Sequence, residues 1–191
     1  MDKKNILDFI AEAGMLKRVQ RSGWWMLGAP YRESVAEHSY RCAVIAYILA
    51  RMEGVEVREV LLMSLFGDLP EARINDQHKV ANRYLNSRDA EKKAYEEQID
   101  KMPGIIRDEL SGLRAEYDAQ KTKESIIARD ADILECLVQA KEYLDLGFRG
   151  AEKFFKKGPG HLCTDSAKEL WDTVAGWDSG TWWEALGKFD R

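Results

Sequence analysis

The sequence predicts an all-α fold, a bundle of short and medium helices without significant sheet. Three observations carry that prediction. Apolar residues recur at three- and four-residue spacing through most of the chain. No window sustains the period-two alternation of a half-buried strand, and cap residues stand just ahead of several apolar runs. With 191 residues the chain reads as a single domain, 1–191, long enough to bury a substantial core.

Ile6, Phe9, Ile10 and Ala13 share one face of a first helix, which Gly14 weakens. Residues 16–31 carry Gly23, Gly28 and Pro30 between large apolar groups such as Trp24 and Trp25, and read as a loop packed on the body. Ser34-Val35-Ala36-Glu37 has the form of a capping box, with Ser34 at the N-cap of a helix running to about Met52. Its buried stripe is predicted to hold Val35, His38, Cys42, Ile45, Ala46 and Leu49, which places His38 inward in the first turn. A helix from about Val57 to Asp68 follows and is closed by Pro70. Residues 71–88 are polar and irregular; Asp89 is a candidate cap for a helix to about Lys101. Pro103 suits the first turn of another, ending near Asp118. A long helix spans about Ser125 to Leu146, with Ile126, Ala128, Ile133, Leu137, Ala140 and Leu144 as core candidates, and Gly147 and Gly150 bracket its exit. Beyond Gly158-Pro159-Gly160 lies a helical tail with Trp171, Trp177, Trp182 and Trp183, read as core or interface aromatics.

Net charge is −4 at pH 7 and both signs are interspersed, so no basic footprint points to nucleic acid. No apolar run approaches the ~20 residues that span a bilayer, and the N-terminal residues lack a signal-peptide core. Cys42, Cys136 and Cys163 are an odd number without paired spacing, which fits a reducing compartment. The expectation is a soluble, cytoplasmic protein.

Acids recur where apolar periodicity predicts burial, and an isolated buried carboxylate costs several kcal/mol unless something compensates it. Three helices supply His38, Asp68 and Asp132, each on a predicted inward face. One ligand per helix is a common way to build a metal site inside a bundle. Imidazole with carboxylates suits a divalent ion such as Mn, Co, Fe, Zn or Mg. Spacing alone leaves the other reading open, that His38 is a satisfied core histidine and the acids are caps or ion pairs.

The segments Leu16-Lys17-Arg18-Val19-Gln20-Arg21-Ser22-Gly23-Trp24, Glu33 to His38, Asp68-Leu69-Pro70-Glu71 and Arg129-Asp130-Ala131-Asp132, taken together, resemble those of an HD-domain phosphohydrolase, and more narrowly of the 5′-deoxynucleotidase branch. Asp108-Glu109-Leu110, Glu116-Tyr117 and Leu137 to Tyr143 add to it, so the resemblance covers about residues 5–147 and leaves 148–191 as a Trp-rich helical tail. It implies an HD-domain helical bundle with His38, Asp68 and Asp132 as metal ligands, Glu71 and Asp76 as catalytic acids and Arg21 on the substrate phosphate. Asp76 is read as the group that orients water and manages the leaving-group proton, and Glu71 as the one that holds a water in place. Asp130 lies two positions before Asp132, about 200° around the helix, and is expected to face solvent. His78 is expected at the surface or against substrate.

One position departs from the pattern. Gly67 stands where the family has the histidine of its His-Asp doublet, so a fourth ligand is missing. The implied function is release of phosphate from (deoxy)nucleoside 5′-monophosphates, impaired by Gly67. The alternatives are a catalytically silent nucleotide-binding protein or an HD phosphohydrolase acting on another nucleotide. The implied partners are a nucleotide substrate and a second copy of the chain in a homodimer, with no nucleic acid and no membrane.

Overall fold

The computed structural model describes residues 3–187. Among them the regular structure is helical, and the only β pairing is an isolated antiparallel bridge between Gln20 and Ser34. The order is α1 (Lys3–Ala13), α2 (Ser22–Leu27), α3 (Val35–Glu53), α4 (Val57–Phe66), α5 (Glu71–Ile74), α6 (Ser87–Ile99), α7 (Gly104–Ala119), α8 (Lys123–Asp145), α9 (Glu152–Lys157) and α10 (Asp165–Gly176), with short 3₁₀ turns between several of them. No helix among the described residues is long and apolar enough to cross a membrane.

Local chemistry explains the boundaries. Ser34 and Glu37 form the full capping box that starts α3, and Gly54 in the left-handed region ends it. Thr122 accepts from Ser125 N–H to start α8, and Thr164 accepts from Ala167 N–H to start α10. α6 begins earlier than the sequence implies. Asn86, not Asp89, is its cap, and the Asn86 side chain accepts from Asp89 N–H. Residues 16–31 are also more ordered than the loop expected there. A 3₁₀ turn at Gly14–Lys17 and the short α2 occupy much of the segment.

α3, α4 and α8 form the centre. Cys42, Ile45, Ala46 and Leu49 of α3 meet Val60 and Met63 of α4 and Ile127, Ala128, Ala131, Leu134 and Leu137 of α8. α6 and α7 add Tyr95, Ile99, Leu110 and Leu113, and α10 adds Ala167. α8 is enclosed on nearly every side, which is why Ile127 and Leu134 are buried while the expected Ile126 and Ile133 are only half-buried. A second cluster sets Trp24 against Tyr143, Ala140, Ala151 and Phe154 and fastens α2 to the end of α8. In the tail Trp171 packs edge-on to Phe155, whereas Trp182 and Trp183 are exposed. Ile10 on α1 is exposed as well, contrary to its place on the expected apolar face.

Candidate functional site

α3, α4 and α8 bring His38, Asp68 and Asp132 together. His38 stands in the first turn of α3 and is fully buried. Its Nε2 lies 3.2 Å from Asp132 Oδ1 and 3.4 Å from Asp68 Oδ2. Asp68 follows the end of α4, and Asp132 lies in the middle of α8.

Arg21 is delivered by backbone pairing. Val35 N–H donates to Val19 C=O at 2.8 Å and Arg21 N–H to Glu33 C=O at 3.0 Å, which ties residues 19–21 to the entry of α3. The guanidinium then reaches three acids: Asp68 Oδ2 at 3.5 Å, Asp76 Oδ2 at 3.8 Å and Asp132 Oδ1 at 3.9 Å. Asp76 is fixed by the first turn of α2, where Ser22 N–H donates to its Oδ2 at 2.7 Å. The residue before it, Asn75, holds φ 60° and ψ 163°, a conformation costly for a side chain other than glycine. Glu71 opens α5 and its Oε2 is buried without a hydrogen-bond partner.

The electrostatics follow from crowding acids around two cations. Burial and Arg21 push the His38 imidazole down, but its hydrogen bonds to Asp132 and Glu135 outweigh both and lift it to about 10. For Asp132, burial acts upward and is overcome by His38, Arg129 and Arg21, which hold it well below the usual carboxylate range. Asp68 and Glu71 are raised, first by burial; in Glu71 the neighbouring Asp68 and Asp76 add to the shift.

Behind His38 stands a network that sequence reasoning missed. His38 Nδ1 is bonded to Glu135, whose side chain is wholly buried. Arg41 Nε donates to Glu135 Oε1 at 2.9 Å, and the same guanidinium holds Glu142 at 2.7 Å and Gln139 at 2.6 Å. Trp24 Nε1 donates to Glu33 Oε1 at 2.8 Å, and burial and Glu135 raise Glu33 to about 7. The available signal was spacing: Glu135 follows Asp132, and Arg41 follows His38, by three residues, so each pair shares a helix face. The solvent-facing expectation for Asp130 was wrong. Asp130 is fully buried and accepts from Cys163 N–H, Thr164 N–H and Thr164 Oγ1 at 2.6–3.1 Å, holding the start of α10. His78 lies under the exposed Trp25, the rings stacked with centroids 5.7 Å apart, and its Nδ1 accepts from Ala81 N–H.

Two donor sets could take a cation. Glu33, His38 and Glu135 offer ligand atoms within 4.8 Å of one another. Their charges are already answered by Arg41 and by the Trp24 N–H, so this set reads as the support that orients the imidazole. On the other side of the ring, His38 Nε2, Asp68 and Asp132 converge with the unpartnered Glu71 nearby, and this set fits a divalent ion by donor chemistry. Gly67 contributes no donor there. Its backbone continues the helix at φ −56° and ψ −46°, and Arg114 Nη1 donates to its carbonyl at 3.1 Å.

Residues 13–170 match the HD domain, well over half the chain and extending past residue 147 into the first half of α10. The chain belongs to the HD-domain family. The 5′-deoxynucleotidase HDDC2 of Dictyostelium discoideum is 32% identical over 149 residues, covering 73% of this chain and 77% of that protein. The human 5′-deoxynucleotidase HDDC2 is 28% identical over 174 residues, 91% of this chain and 78% of that one. The solved structure of a conserved hypothetical protein from Pyrococcus furiosus superposes with a TM-score of 0.77 at 34% identity, covering 90% of this chain and 99% of that one. This HD domain is thus related to 5′-deoxynucleotidases over most of its length.

Proposed function

We propose that this HD protein is a metal-dependent phosphomonoesterase that releases phosphate from (deoxy)nucleoside 5′-monophosphates, with turnover impaired by Gly67. One observation carries the reading: His38 Nε2 faces both Asp68 and Asp132, at 3.4 and 3.2 Å, while Arg21 spans the same two acids. That combination supports reading these residues as a cation site with a phosphate-binding fork beside it.

His38, Asp68 and Asp132 would hold the ion, which supplies Lewis acidity toward a phosphoryl oxygen and toward water. Arg21 offers a permanently charged planar fork suited to two phosphate oxygens. Asp76, anchored by Ser22 N–H, is placed to orient a water and to pass a proton toward the departing alkoxide. Glu71 has a buried oxygen in want of a donor and would hold a water in place. Glu135 fixes the imidazole by its Nδ1, leaving Nε2 for the site. The small-molecule partner is then a nucleotide, and a homodimer is the assembly we assign. Three free thiols suit the cytoplasm.

Gly67 supports a second reading, a protein that binds nucleotide without hydrolysing it. Phosphate release from deoxynucleoside monophosphates with Mn or Co, comparing the parent with Gly67→His, separates the two. We expect weak or absent release by the parent and clear release by the variant. Silence from both, with metal bound to the variant, would refute the phosphatase reading, and saturable nucleotide binding under chelation would then establish the second.

A further inference from the structure

We propose that the stacked rings of Trp25 and His78 form a platform for the nucleobase, by which the site tells a nucleotide from a bare sugar phosphate. This rests on the phosphatase reading, in which Arg21 takes the phosphate, and it names what holds the other end of the substrate. α2 is six residues long and uses its two tryptophans differently. Trp24 is buried against Tyr143 and Phe154 and anchors the helix. Trp25, the next residue, is 53% exposed. A single exposed aromatic needs no explanation by itself. This one lies flat on His78, with ring planes 15° apart and centroids at 5.7 Å, in the range of offset stacking. With the imidazole against one face of the indole, the other face is the one left to a ligand.

Both rings hang from residues of the site. Trp25 N–H donates to the Arg21 carbonyl at 3.2 Å, so the indole stands one helical turn beyond the arginine. His78 follows Asp76 by two positions, a reach of at most ~7 Å of extended chain. Ser22 N–H, donating to Asp76 Oδ2 at 2.7 Å, ties the two segments to each other. The imidazole is itself held: Ala81 N–H donates to its Nδ1 at 3.0 Å, and Asn82 N–H donates to the His78 carbonyl at 3.1 Å. A platform already ordered in this way loses little side-chain freedom when a ring settles on it.

The match is one of length as well as chemistry. A nucleoside 5′-monophosphate carries its base one sugar away from its phosphate. With the phosphate on Arg21, the sugar runs along the turn from Arg21 to Trp25 and the base covers the open indole face. Every base has a π-face, so stacking is tolerant of base identity. A sugar phosphate offers the platform no aromatic ring at all. Trp25 therefore selects nucleotides as a class and does not choose among them.

The test is calorimetric titration of the full chain, with Mn present, by dAMP, dTMP and deoxyribose 5-phosphate. The parent is compared with Trp25→Ala, Trp25→Phe and His78→Ala. Loss of an aromatic from a stacked base weakens binding by about 5- to 150-fold. We expect Trp25→Ala to weaken both nucleotides by a factor in that range and to leave deoxyribose 5-phosphate unchanged. Trp25→Phe should recover most of the loss, and His78→Ala should weaken the nucleotides by a smaller factor than Trp25→Ala. Nucleotides held as tightly by Trp25→Ala as by the parent would overturn the platform and leave the phosphate site standing. So would a parent that binds nucleotides no more tightly than the sugar phosphate. Equal weakening of all three ligands by Trp25→Ala would also overturn it, because a disturbed α2 would then be the cause. A parent that binds none of the three would overturn the platform together with the phosphatase reading.

Discussion

Replacing Glu135 is the sharpest probe of how the site is held together. Its carboxylate has no exposed surface and joins His38 Nδ1 to Arg41, which pairs with it at 2.8 Å. Breaking a buried pair by removing one partner costs ~3–5 kcal/mol. Here the lower end applies, because Arg41 is partly open to solvent and retains Glu142 and Gln139, while His38 retains Asp132. Glu135→Ala should therefore cost about 3 kcal/mol. Glu135→Gln keeps the shape and an acceptor but loses the charge, which should cost about 1.5–2 kcal/mol. For a chain of this size each kcal/mol lowers Tm by ~2–4 °C, so Glu135→Ala should melt ~6–12 °C early. The pH dependence adds a second reading in metal-free protein. His38 is lifted from an ordinary 6.5 to about 10, so its contribution is complete below pH 6.5 and is lost as pH rises toward 10. Without Glu135 that decline should be shallower. Urea unfolding from pH 6 to 10 measures both effects. A Glu135→Ala protein within ~0.5 kcal/mol of the parent, or with an unaltered pH slope, would refute the network's role.

Other parts of the fold make separable predictions. Asp130→Ala strands the donors at the start of α10 and should cost about 3 kcal/mol in thermal or urea melts. Because Asp130 faces Thr164 rather than His38, calorimetry should find metal affinity little changed. Burial pushes Tyr95 from 10 to about 12 and Tyr143 likewise, so the stability they lend is intact below pH 10 and falls as pH rises toward 12. Urea midpoints across that range should drop, less steeply in Tyr95→Phe.

Much of the fold was legible because caps and periodicity act locally. The Ser34 capping box and the stripe of α3 are written within twenty residues, and the structure places His38 where that stripe implies. Asp130 shows where local reasoning fails. Helical periodicity separates it from Asp132 correctly, but the side away from His38 is covered by residues 163 and 164, over thirty positions downstream. Only tertiary packing decides that. Glu135 was hidden for the opposite reason: an acid inside an apolar helix is intelligible once Arg41 and His38, ninety-odd residues earlier, are known to meet it. Residues 16–31 looked like a loop because glycines break their pattern, yet the Val19–Val35 pairing and buried Trp24 give them order.

Gly67 poses the question of what a glycine is for when nothing in the backbone requires one. Its φ of −56° is open to any residue, so its freedom is not used. An added Cβ would meet the Met63 carbonyl oxygen one turn back at 3.0 Å, which must yield by a few tenths of an ångström. Against that strain, replacing glycine at a compatible position gains ~0.4–1 kcal/mol by restricting the unfolded chain. Gly67→His should therefore fold about as stably as the parent, and its effect on activity can be read without a stability correction. The space beside it is another matter. A cavity lined by Phe66, Gly67, Tyr95, Arg114 and Tyr117 lies beside it and measures about 10 Å³, about the room of one water. Gly67 is itself half-open to solvent, so an imidazole introduced there has room outside that cavity. The parent thus keeps Arg21, His38, Asp68, Asp76 and Asp132 gathered without a side chain at position 67. Under the phosphatase reading we propose, what position 67 lacks is a ligand, and the scaffold gathers its acids without a side chain there.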